Sequence, residues 1–185
     1  MNGDELRRVL VEHAYLEGDF VLRSGKRSKY YLDKYRFETR PDILRALGRR
    51  IAAEVAAHAP DATRLAAPEL GAVALAAAAS LESGLPFVIV RKAAKEYGTG
   101  NRLEGPYEEG ECMCLVEDVV TSGGALLDSV EALRDAGLQV QTAVCVVDRE
   151  EGGADALARR AVRLRPVFRA SELLEQRKSP AKPHG

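Results

Sequence analysis

The chain has 185 residues, enough for one domain with a full hydrophobic core. Its 27 basic and 28 acidic side chains nearly cancel, to a formal net charge of −1, which argues against a general nucleic-acid binder. No apolar run approaches the length of a membrane span and the polar start MNGDELRRV is not a signal peptide, so the expected location is cytoplasmic.

In chain order, residues 3–17 predict an amphipathic helix with Leu6, Val9, Leu10 and Leu16 on one side and Gly18 as its stop. Phe20-Val21-Leu22 predicts a short strand and Ser24-Gly25 a turn. Arg23, Lys26, Arg27 and Lys29 then cluster before Tyr30-Tyr31-Leu32, either to hold a planar anion or as a solvated hairpin. Pro41 suits the first position of a helix whose core face is Leu44, Leu47, Ile51 and Val55. From Arg64 onward strands and helices alternate. Leu65–Ala67 is a strand, an alanine-rich helix runs to about Ser83, and strands follow at Pro86–Val90, Met113–Val116, Val140–Val147 and Val162–Phe168, with a last helix near Ser171–Gln176. Nearly continuous apolar strands alternating with helices predict an α/β fold, a parallel central sheet with helices on both faces. One domain is expected over residues 1–177 and a frayed tail over 178–185. Cys112, Cys114 and Cys145 read as buried packing in a reducing compartment rather than as disulfide or zinc ligands. His13, His58 and His184 fall outside every candidate site.

Ligands of such sheets bind outside the carboxyl ends of the strands. Four turns are expected there: Pro68–Gly71, the segment after Val90, Thr121–Gly124 and Asp148–Gly153. The third is the most specific. A buried strand leads to Glu117 and Asp118, then Val119, Val120, Thr121, Ser122, Gly123, Gly124 and Ala125 open a helix with Leu126, Val130 and Leu133 on one face. Glycines let the backbone approach an anion, and the free N–H groups and dipole of a helix start favour negative charge. The acidic pair would repel a bare phosphate, so it must serve hydroxyls or a hydrated cation on the same ligand. A sugar phosphate meets both requirements. Neither GxxxxGK[ST] nor a GxGxxG after a strand is present. The plainer reading is an acidic strand end followed by an ordinary glycine turn. The second turn, Arg91 to Gly105, is long, basic and glycine-punctuated, with Arg91, Lys92, Lys95 and Tyr97. It predicts either a cationic flap closing over the cradle or a solvated excursion.

Glu117–Ala125 closely resembles the phosphoribosyl diphosphate (PRPP) loop of type I phosphoribosyltransferases. With its flanks, the sequence resembles the orotate phosphoribosyltransferases from about Gly18 to Leu174. Phe20-Val21-Leu22-Arg23-Ser24-Gly25 is similar to their N-terminal F-x-L-K-S-G, Arg91-Lys92-x-x-Lys95 and Arg102-Leu103-x-Glu-Gly to their catalytic loop, and Asp148-Arg149-Glu150 to their D-R strand end. Arg23 stands where many members carry lysine, Tyr97 where many carry histidine, and the Pro68–Gly71 turn has Glu69 and no lysine.

The resemblance implies a small N-terminal hood beside the sheet and transfer of ribose 5-phosphate from PRPP to orotate, with Mg2+ held mainly by substrate and water and no protein metal ligand. It implies Lys95, Arg91, Lys92 and Asp118 as the catalytic set. PRPP would be bound by Arg91, Lys92, Lys95, Tyr97 and Glu117 through Ala125, and orotate by Thr121, Arg149 and Arg23. It also implies a homodimer with sites shared between subunits, and no nucleic-acid or membrane partner. Two alternatives stay open, a purine-type phosphoribosyltransferase and a regulator that binds PRPP without chemistry.

Overall fold

The computed structural model describes residues 1–21, 25, 27–93 and 102–178; Arg23, Lys95 and Tyr97 lie outside them. Helix α1 (Gly3–Ala14) starts on a capping box: the Asn2 side chain accepts from the Glu5 amide at 2.9 Å and the Glu5 carboxylate reaches back to the Asn2 N–H. It ends at Ala14, three residues short of the expected end at residue 17. Tyr15 already has extended backbone and begins β1 (Tyr15–Val21), which pairs antiparallel with β2 (Arg27–Leu32). The Tyr15 and Tyr30 rings stack across this hairpin at 5.2 Å, and strand pairing overrides the helical period. Gly18 therefore lies inside a strand, where the register shifts between Glu17 and Phe20. A four-residue helix that the sequence pattern did not announce, α2 (Tyr35–Glu38), leads into α3 (Pro41–His58), with Pro41 at the helix start as expected.

Then follow β3 (Arg64–Pro68), α4 (Gly71–Ser83), β4 (Phe87–Val90), β5 (Leu103–Glu104), β6 (Cys112–Val120), α5 (Gly124–Asp135), β7 (Gln139–Asp148), α6 (Gly153–Ala158), β8 (Arg163–Arg169) and α7 (Ala170–Lys178). The six-stranded sheet has the order β5-β4-β3-β6-β7-β8 and is parallel except at its edge, where β5 runs antiparallel to β4. Side chains alternate across β6. Cys114 and Val116 join a core with Leu10, Phe37, Leu47, Leu75 and Leu173 of α1–α4 and α7, while Met113 and Leu115 join one with Leu126, Leu133 and Leu157 of α5 and α6. The sheet is thus covered on both faces, and α1 with the β1–β2 hairpin forms the smaller N-terminal part. Cys114 and Cys145 are buried as expected, but Cys112 is only half-buried, and all three are free thiols.

Two boundaries differ in ways that matter for the site. Glu117 and Asp118 do not follow the strand but belong to it, because β6 stays paired with β7 as far as Val120 opposite Asp148. The expected loop from Arg91 to Gly105 is pinned at its far end. Leu103 is buried, and Arg102 donates through Nε and Nη2 to the Arg91 carbonyl (3.1 and 3.0 Å) and pairs with Asp128 of α5. No helix among the described residues is long and apolar enough to cross a membrane.

Candidate active site

The carboxyl ends of β3, β4 and β6 open into one cleft of about 750 Å³. Of the residues anticipated from the sequence, Arg91, Lys92, Glu117, Asp118, Val119, Thr121, Ser122, Gly124 and Ala125 line it. Val120 instead faces the core beneath the turn, and Gly123 shapes the turn from φ 82°, a left-handed conformation that suits glycine. Helix α5 starts there with no side-chain cap and no acid in its first turn, so its first N–H groups are left to a ligand. Helix α4 starts at Gly71 with the same two features, and Leu70 and Gly71 also line the cleft. Two uncapped helix starts and the cations Lys34, Arg91 and Lys92 suit a ligand carrying anionic groups at two points.

The turn is supported from below. A Cβ on Gly153 would lie 2.5 Å from the Thr121 carbonyl oxygen and 2.5 Å from a Val120 methyl. Gly153→Ala is therefore expected to lower stability by about 1–3 kcal/mol, as overpacking does, and to lift the turn toward the cleft. Thermal unfolding with and without inorganic phosphate checks both effects.

The acidic pair is buried, Glu117 to 7% and Asp118 to 3% exposure. Burial first, then the Asp118 charge, push the Glu117 carboxyl up to about 8. The Asp118 amide donates to the Glu117 carboxylate at 3.0 Å, which pulls the other way without prevailing. Asp118 is held by Lys34, whose Nζ lies 2.5 Å from Oδ2. The pair can thus present both a charged acceptor and, at neutral pH, a carboxyl able to donate, which suits a vicinal diol.

Arg91 and Lys92 leave the end of β4. The Arg91 guanidinium pairs with Glu104 at 3.3 Å, and the Lys92 amide donates to the Glu69 carboxylate at 2.9 Å. The Glu69–Leu70 peptide is cis. Glu69 thus ties the Pro68–Gly71 turn to the residues that follow β4.

Arg149 sits beside the cradle rather than on the cleft wall. Its amide donates to the Val120 carbonyl at 2.8 Å, one residue before Thr121. Its side chain is 7% exposed, pairs with Glu151 at 3.0 Å and lies over the Tyr30 ring at 4.7 Å, with Nε buried and unpartnered among the described residues. The structure therefore brings Thr121, Arg149 and the hood aromatics together. Lys34, Tyr35, Glu69, Asp128 and Ser129 also line the cleft and were not anticipated as ligand residues. The only sequence signal available was that Lys34 and Tyr35 follow the basic–aromatic cluster.

The family profile described as "Phosphoribosyl transferase domain" matches residues 39–165. A curated orotate phosphoribosyltransferase of Methanocella arvoryzae is 50% identical over 157 residues, covering 85% of this chain and 88% of the relative. The crystal structure of orotate phosphoribosyltransferase from Aeropyrum pernix superposes with a TM-score of 0.82 at 31% identity, over 94% of this chain and 99% of that one. The Mycobacterium tuberculosis orotate phosphoribosyltransferase in complex with PRPP gives a TM-score of 0.77 at 28% identity, over 92% and 98% of the two chains.

Proposed function

Because this chain belongs to the orotate phosphoribosyltransferase family, we propose that it transfers the 5-phosphoribosyl group of PRPP to orotate. The products would be orotidine 5′-phosphate and pyrophosphate, a step of pyrimidine biosynthesis. The observation that carries the reading is one cleft in which an uncapped helix start adjoins a buried acidic pair. Residues 121–125 would hold the 5′-phosphate, and Glu117 and Asp118 the ribose hydroxyls. The start of α4 with Arg91, Lys92, Lys95 and Tyr97 would meet the diphosphate, and Arg149, Thr121 and Arg23 the orotate.

In the reaction the bond from the anomeric carbon to the diphosphate oxygen breaks, its electron pair leaving with pyrophosphate, and a bond to orotate N1 forms as the N1 proton passes to pyrophosphate or water. Positive charge builds on the ribose and negative charge on the departing pyrophosphate. No covalent nucleophile is required, so catalysis rests on positioning and electrostatics. The cations at the flap base stabilise charge that grows only as the bond breaks. Among the described residues no group of three or more His, Cys, Asp or Glu side chains is placed to hold a metal, and Lys34 already engages Asp118. This donor set fits a Mg2+ ion carried on diphosphate oxygens and water, where it would neutralise leaving-group charge.

The test is PRPP- and Mg2+-dependent loss of orotate absorbance with matching pyrophosphate release, and adenine, xanthine and uracil as competitors. Consumption of adenine or xanthine instead of orotate would replace this reading with the purine one.

The reading includes a homodimer in which the flap of one subunit serves the cradle of the other. The exposed Val21 and Tyr31 on the hairpin offer apolar surface for association. Inactive Lys95→Ala and Asp118→Asn proteins, dissociated and reassociated together, should recover about a quarter of wild-type activity, because half the dimers are mixed and each has one intact site. No recovery, with heterodimers confirmed by mass spectrometry, would refute shared sites and leave the reaction standing.

A further inference from the structure

We infer that Lys34 is a positioning residue for PRPP: from the hood side of the cleft it holds the Asp118 carboxylate in place for the ribose hydroxyls. The inference rests on the proposed reaction for its ligand, but its geometry stands on its own. Lys34 lies 84 residues from Asp118, at the junction of the hairpin and α2, and its Nζ reaches Oδ2 at 2.5 Å. The other oxygen, Oδ1, accepts from the Val119 amide. Both oxygens are thus tied, one by the strand's own backbone and one by the hood.

Contacts place Asp118 on the face of the sheet covered by α4 and the hood, within reach of both Lys34 and the start of α4. There the start of α4 closes over the pair, and a Cβ on Gly71 would fall 2.0 Å from Asp118 Oδ2 and 2.7 Å from Lys34 Nζ. The Asp118 side chain is 5% exposed and that of Lys34 31%, with Lys34 on the cleft wall.

Glu38, on the last turn of α2, is 4% exposed, and its Oε1 is buried without a partner among the described residues. Burial, then the Asp118 charge, push its carboxyl up to about 8, as they do for Glu117. Burial alone would lower the Lys34 ammonium, but its bond to Asp118 prevails and it is raised. Burial holds both carboxyls toward their neutral form, and Lys34 lies against the Asp118 carboxylate. Tyr35 and Asp33 are the further titratable neighbours on the hood side. Removing Lys34 would leave a buried carboxylate without its counter-ion, free to turn away from the diol or take up a proton.

The experiment compares Lys34→Met, Asp118→Asn and the double variant by calorimetric PRPP affinity and steady-state kinetics. Lys34→Met should raise the Kd and KM for PRPP about tenfold or more and leave the orotate KM within about twofold. In the Asp118→Asn background the same substitution should have no further effect, because Lys34 acts through that carboxylate. A lysine that merely braces the hood would lower the melting temperature while sparing PRPP affinity, and that result overturns the inference. So does a double variant whose loss is the product of the single losses. If Lys34→Met alone does not fold, the double variant against Asp118→Asn decides: equal PRPP affinity supports the inference and a further loss refutes it. Wild-type protein that binds PRPP but leaves orotate untouched would sink the proposed reaction, and the PRPP affinities would still decide for Lys34.

Discussion

Arg149→Ala should lower kcat/KM for orotate about a hundredfold or more while leaving PRPP affinity within about threefold. The guanidinium is almost wholly buried, stacked on Tyr30 and paired with Glu151, and its Nε has no hydrogen-bond partner among the described residues. A side chain in that position has lost most of its hydration already, so an incoming carboxylate gains a charge-assisted pair at little further desolvation cost. Glu151 is 30% exposed and can swing to water, so exchange of its carboxylate for that of orotate is sterically open. Truncating one partner of a buried charge pair costs about 2–5 kcal/mol, or roughly 30-fold to several thousandfold. The proposed 5′-phosphate and ribose contacts would lie on β6 and α5, so PRPP should be spared. Equal weakening of both ligands in calorimetry would move Arg149 out of the base site.

The cradle was legible because every part of it is local. A strand, two acids, a small-residue turn and a helix follow one another within a single βα unit, and residue type alone announces each. The ends of β3, β4 and β7 were legible for a related reason: parallel strands with covering helices put all their carboxyl ends on one edge. What escaped is held by contacts between distant segments. Lys34 sits in YLDKYRF, which has neither a hydrophobic period nor a cap, and its meaning comes only from Asp118 across the fold. The early end of α1 depends on Tyr15 meeting Tyr30 fifteen positions away. Sequence periodicity favoured continuing that helix, since Leu16 falls on its apolar side. The anchor at the far end of the segment after Val90 was hidden likewise, because Arg102 looks like one more loop cation until Asp128 of α5 stands opposite it. The apolar run stops at Val116, so the sequence pattern ends the strand before the acids, whose burial carries a cost. A raised carboxyl on Glu117 and an ammonium beside Asp118 remove most of that cost.

Gly71→Ala should weaken PRPP about a hundredfold and orotate hardly at all, although it adds only one methyl at a helix start. The glycine has no left-handed φ to protect, so alanine brings no backbone strain, and helix propensity alone would favour the change. The whole expected effect is therefore steric, and it falls on one carboxylate. The new Cβ would stand 2.0 Å from Asp118 Oδ2, well inside van der Waals contact, and 2.7 Å from Lys34 Nζ. Lys34 ends a flexible chain and can withdraw. Asp118 has one rotatable bond before its carboxyl, with Oδ1 tied to the Val119 amide, and relieves the clash only by turning out of its present orientation. Such overpacking commonly costs about 1–3 kcal/mol of stability, a few degrees in melting temperature for a chain of this size. Loss of the ion pair and of the aligned acceptor falls on the ribose instead. Calorimetry with PRPP, set beside a thermal melt, separates the two. An alanine variant that binds PRPP as wild type does would mean that Asp118 has a second, equally productive orientation, and its close fit against α4 would then not be what aligns it for the ribose.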